Sequence, residues 1–184
     1  MKIFKTIICI ILCAVMLASC STTNNTDYFR NHIEQTNSQI PDNMRYLPAL
    51  FEDYTNTDEI KFTVMDNTVA YSLENEVEGK SGFTYKNINA HIRVHNDNVA
   101  TVISGLSMSF GDDDITKGVK HEYKDVTYAI TYEIRPDTNV TSLNVIYPLS
   151  EFVSAYFTVT IDGNENLDEK TLDKICKDLQ MIKL

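Results

Sequence analysis

Hydrophobic and polar positions change rhythm along the chain, and each rhythm predicts a different element. From Ile7 to Ala18 the apolar residues are continuous. From Ile60 to Ile161 they largely alternate with polar ones, the period of half-buried strands, and from Leu172 to Ile182 they recur at three and four residues, the period of a helix packed on one face. Ile60, Phe62 and Val64, then Val69, Tyr71 and Leu73, predict a hairpin turning at Asp66 and Asn67. Phe83 and Tyr85 are out of step by one residue with Ile88, Ala90, Ile92 and Val94, which predicts a bulge at Lys86 and Asn87 that keeps both sets in the core.

The next strands are expected along Val102, Leu106, Met108 and Phe110; along Val126, Tyr128, Ile130, Tyr132 and Ile134; along Leu143, Val145 and Tyr147; and from Val153 to Ile161. Asn96 to Asn98, Gly111 and the Pro136, Asp137, Asn139 cluster supply turn chemistry between them. Tyr28, Phe29, His32 and Ile33 share a helical face, and Met44, Leu47, Leu50 and Phe51 form a second short apolar cluster, with Pro41 and Pro48 limiting both. After Gly163 comes an amphipathic helix, with Asn166 as its expected cap and Glu169 three residues later. The fold class is therefore α+β: an antiparallel meander of about seven strands with the C-terminal helix packed on one face.

The continuous run near the N-terminus is an export signal by its parts: Lys2 and Lys5, an apolar core, then small residues. As a helix its twelve residues reach about 18 Å, short of the roughly 30 Å of a bilayer's hydrocarbon, so it is expected to be removed. The quartet Leu17, Ala18, Ser19, Cys20 resembles the lipobox of bacterial lipoproteins, which implies that Cys20 is lipidated and becomes the first residue of the mature chain. An ordinary secretory leader cut after Ser19 explains less, because it leaves the cysteine without a role. Two acyl chains hold a protein on a membrane where one holds it marginally. The expected organisation is a leader over residues 1–19, a lipidated cysteine and polar tether over 20–40, and one domain over 41–184. The location is the cell membrane or the outer membrane, on an extracytoplasmic side.

Loss of Lys2 and Lys5 leaves 14 of 16 basic residues against 26 acidic ones, a net charge of −12 with neutral histidines. Such a body gains nothing from counterion release and is repelled by anionic headgroups, so nucleic acid is excluded as a partner and the anchor at Cys20 supplies the membrane affinity. A large net charge also keeps a domain soluble, and what selectivity it confers favours cationic partners. Of four cysteines, Cys9 and Cys13 leave with the leader and Cys20 carries lipid, so Cys176 stands alone, without a disulfide partner, and is expected in the core.

His91 and His95 have the spacing of a helical zinc pair, but on a strand they stand about 13 Å apart, too far for two bonds near 2.0 Å. Asn89, His91, Arg93 and His95 therefore read as a solvated face. The loop from Asp162 to Asn166 has oxygen ligands at alternate positions, yet Leu167 and Asp173 stand where a calcium loop needs glycine and glutamate. Asp112 to Asp114, and separately Glu74, Glu76 and Glu78, gather carboxylates in loops without the six to eight oxygens that a calcium ion takes. Tyr128, Tyr132 and Tyr147 fall on core-facing positions. No metal, cofactor or catalytic residue is assigned.

The final strand followed by an amphipathic helix, after the meander, resembles the small domains of the PsbP family of photosystem assembly proteins and their bacterial lipoprotein relatives. The resemblance is architectural, covers about half of the chain, and implies binding or assembly work more than catalysis. The expected function is a membrane-anchored envelope lipoprotein with a non-catalytic domain that binds an unidentified envelope protein or small ligand. An envelope enzyme with a site assembled from distant residues, or a purely structural lipoprotein, remain the alternatives.

Overall fold

The computed structural model describes residues 25–36, 40–65, 68–106, 116–135, 137–163 and 167–184. Among the described residues, three α-helices, α1 (Asn25–Thr36), α2 (Val99–Leu106) and α3 (Glu169–Asp178), accompany two sheets. The larger contains β2 (Lys61–Met65), β3 (Thr68–Leu73), β4 (Val77–Glu78), β5 (Thr84–Val94), β6 (Thr116–Tyr123), β7 (Val126–Arg135), β8 (Val140–Pro148) and β9 (Val153–Asp162). The smaller pairs β1 (Tyr46–Pro48) with β10 (Met181–Lys183). The fold is α+β, and every strand pair described is antiparallel.

The order across the large sheet is β2, β3, β5, β9, β8, β7, β6, with β4 beside β5. This is not the simple succession expected from the sequence. Two runs of neighbouring strands, β2 to β5 and β6 to β9, are joined through α2, and the last strand of this sheet, β9, closes against β5. The expected bulge is present: the β5–β9 register shifts between Lys86 and Asn89, and Asn87 takes φ 50°. Tyr85, Ile88, Ala90 and Ile92 are all buried as a result. The β6–β7 connection is a two-residue turn in which Lys124 and Asp125 both have positive φ, the type I′ geometry that matches strand twist. Met65 lies opposite Thr68 in the first hairpin, and the expected turn residues between them, Asp66 and Asn67, are outside the described residues.

Residues 99–106 are helical, not the strand that Val102 and Leu106 suggested. The Asn98 side chain accepts a hydrogen bond from the Ala100 amide at 2.8 Å, which satisfies a donor of the first turn. Val99 and Ile103 then share a face and pack on Ala129 and Ile146, so tertiary burial overrides the strand preference of valine and isoleucine. Met108 and Phe110 lie outside the described residues, and β6, whose apolar positions are sparse, was not expected at all.

The opposite face of the sheet carries the main core. There α1 buries Phe29 and Ile33, with Phe29 edge-on to Tyr71 at 5.7 Å between ring centres. The Asn25 amide donates to Phe51 O at 2.7 Å and to Tyr54 O. The folded body thus reaches back to Asn25, which shortens the stretch expected as tether from the boundary at residue 40. Helix α3 is capped by Asp168, whose carboxylate accepts from the Thr171 amide at 2.8 Å; the expected cap, Asn166, is outside the described residues. Its pattern ends at Asp178, and Ile182, expected on the helix, belongs to β10 opposite Leu47.

Leu172, Ile175, Cys176 and Leu179 are buried against the sheet. Burial first, and then the Asp173 carboxylate, push the Cys176 thiol up to about 12. Neutral thiols are poor nucleophiles. At neutral pH a thiol reagent is therefore expected to leave Cys176 unmodified until urea unfolds the domain; rapid labelling of Cys176 in the native state would contradict this packing.

Candidate functional site

Where β4 meets the C-terminal end of α3, three remote parts of the chain enclose a groove of about 470 Å³. Its apolar floor comes from Leu50 and Val77, and its rim carries Asp53, Glu76, Glu78 and Lys80. The turn after β4 is held by its own backbone, with the Gly79 amide donating to Phe83 O at 2.7 Å and the Gly82 amide donating to Gly79 O at 2.9 Å. Gly82 has φ +87°, a conformation that favours glycine.

Asp178, at the end of α3, lines the groove and ties this turn to the helix. One carboxylate oxygen accepts from the Ser81 amide at 3.0 Å and the other from the Tyr85 hydroxyl at 3.1 Å. The residue is only 3% exposed and makes no ion pair among the described residues. Burial raises the Asp178 carboxyl above its ordinary value, while the Ser81 and Tyr85 donors pull it partway back. Burial, followed by the Asp178 charge, also raises the Tyr85 hydroxyl, so tyrosine stays the donor. Gly79 makes this approach feasible: a β-carbon there would sit 2.7 Å from Asp178 Cγ and 2.7 Å from Tyr85 Cε2.

The rim charges are partly paired. Lys80 lies 2.7 Å from Glu52 and 3.6 Å from Asp53, and Glu76 lies 2.8 Å from Lys86, which also reaches Asp162 at 2.9 Å. Glu74 meets Lys61 at 2.9 Å, whereas Glu78 makes no ion pair among the described residues. Exposed pairs of this kind add little stability, and they leave the groove with more carboxylates than ammonium groups along its wall.

The other sequence candidates do not converge here. His91 is on the face of β5 away from the main core, and His95 Nε2 lies 2.7 Å from Ser154 Oγ. Burial, followed by the Arg93 charge, lowers His95 from its ordinary value. Tyr128 and Tyr132 are in the core, with Tyr147 stacked on Tyr128 at 5.1 Å. His121 of β6, not singled out by any sequence signal, is buried and places Nε2 2.8 Å from Asp173 of α3. Asp112 to Asp114, Asn164 to Asn166 and Cys20 lie outside the described residues. Among the described residues, no three histidine, cysteine or acidic side chains are grouped to hold a metal ion, and no helix is long and apolar enough to cross a membrane.

The sequence singled out Glu76 and Glu78 as loop carboxylates but not the groove they border. Its residues are about 25 and 100 positions apart along the chain, and no local spacing announces them. No family model, curated protein or solved structure matches the chain.

Two outcomes follow from the Asp178 contact. Gly79→Ala is expected to destabilise the domain by about 1–3 kcal/mol, because the β-carbon meets a packed ring and a carboxylate; urea denaturation measures it. The folded-state value of Asp178 is raised, so its linked stability is fully present below the unfolded value near 3.9 and is lost as pH rises through the folded value. The stability difference between the wild type and Asp178→Asn should therefore shift in favour of the wild type as pH falls toward 4. A constant difference from pH 4 to 7 would show that the carboxyl is not perturbed.

Proposed function

We propose that this protein is a lipid-anchored lipoprotein of the cell envelope whose domain recognises another molecule and does not turn over a substrate. The observation that carries the recognition reading is the groove beside α3: an apolar floor bordered by charged side chains, with its one buried carboxylate engaged in holding the turn of residues 79–82. Shaped apolar surface with a polar rim is the common anatomy of recognition sites.

The anchor reading rests on Leu17, Ala18, Ser19 and Cys20. Five chain steps separate Cys20 from Asn25, the first described residue, and they span at most about 17 Å. The body is then kept close to the lipid surface by acyl chains despite its acidity. Such tethering raises the local concentration of the groove near other envelope components, so that weak contacts suffice. The partner is an envelope protein or a small ligand, and the membrane is engaged through Cys20.

Cys20→Ser is expected to abolish retention in the membrane fraction, because the lipid and not the acidic body supplies the affinity. Fractionation of cells expressing each form reads the result. Membrane pelleting of the variant at the mature size of the wild type would refute the anchor.

A further inference from the structure

The groove beside α3 has a chemistry that selects its occupant, an inference that rests on the recognition reading. Four carboxylates line it, from Asp53, Glu76, Glu78 and Asp178, against two ammonium groups, from Lys80 and Lys177. Two of these features point to a ligand more than to fold stability. The Asp178 carboxylate is buried, with the Ser81 amide and the Tyr85 hydroxyl as its hydrogen-bond donors and the Lys177 charge acting on it from beyond ion-pair distance, and a carboxylate so placed gains from a further opposite charge brought nearby. Glu78 is exposed on β4 without an ion partner among the described residues, above a floor of Leu50 and Val77. An acidic rim over an apolar floor suits a side chain with an aliphatic stem and a cationic head.

We propose that this groove binds a lysine- or arginine-bearing segment of a partner protein, its stem laid on Leu50 and Val77 and its cation held by Glu78 and the neighbouring carboxylates. The net charge of −12 in the mature chain steers such a segment toward the domain, and the groove supplies the local match. Long cationic side chains keep their charge in water while burying their stems, which fits an open groove of about 470 Å³.

The test uses the full-length lipidated protein in a nonionic detergent and a fluorescent pentapeptide of four lysines around a central leucine, read by anisotropy. Glu78→Gln and Glu78→Lys are expected to weaken binding at least tenfold, and Glu78→Lys should acquire affinity for the matching pentapeptide of glutamates. Glu122→Lys, exposed on the edge strand β6 and not part of the groove lining, makes the same change in net charge and should alter affinity less than twofold. Absence of binding to the wild type, or equal weakening by Glu78→Lys and Glu122→Lys, overturns the proposal, the second by showing adhesion through net charge. A photoreactive residue at Thr55, which also lines the groove, separates this failure from that of the recognition reading. Protein adducts formed in native membranes without any affinity for the lysine peptide refute the cationic class alone, whereas absence of both adducts and peptide binding refutes recognition at this groove.

Discussion

The pairing of β5 with β9 is the contact on which the domain depends. Each strand ends a run of neighbouring strands, and their backbone ladder is what turns two separate antiparallel pieces into one sheet. The ladder joins residues about 60 to 76 positions apart, so loop-closure entropy is lost before the pairing repays it. What repays it is burial on the core side, where Ala90 meets Phe157 and Ile92 meets Ala155. The bulge at Asn87 is a condition of that burial, since without it Tyr85 and Ile88 would face opposite sides.

Around this seam the two faces of the sheet have different work. One is covered by α1, α3 and the small β1–β10 sheet, which together bury the large aromatic and aliphatic side chains. On the other, α2 covers a short stretch over Ala129 and Ile146. That face also carries polar side chains, such as Asn144, which accepts hydrogen bonds from Tyr156 and Thr158. The proposed recognition groove belongs to neither face. It forms at the rim of the covered side, where β4 and the turn after it are tied to α3 by Asp178.

That tie is economical in polar groups. A single carboxylate satisfies a backbone amide and a tyrosine hydroxyl at once, and with the Ser81 hydroxyl donating to Lys174 O it holds the turn of residues 79–82 to α3. The same carboxylate leaves a buried negative charge at the wall of the groove. Positioning of the turn and the proposed preference for a cation thus meet at one residue, and the proposed anchor at Cys20 would hold the groove near the membrane.

The sequence by itself determined the elements whose signal is local. Strict alternation announced β2, β3, β5, β7, β8 and β9, a one-residue slip announced the bulge, and helical spacing from Leu172 to Leu179 announced α3, because each pattern reflects one element exposed to one core face. The apolar run from Ile7 to Ala18 and the quartet ending at Cys20, on which the proposed anchor rests, are likewise local patterns. Tertiary structure alone decided that Val99 to Leu106 coil into a helix, since what settles them is the patch of Ala129 and Ile146 that they cover. It alone placed β9 against β5, recruited Asn25 and Phe29 into the body, moved Ile182 from helix to strand, and brought Asp178 against Gly79 and Tyr85. These outcomes depend on contacts between residues distant in the chain, and local periodicity carries no information about which distant surface an apolar or charged position will meet.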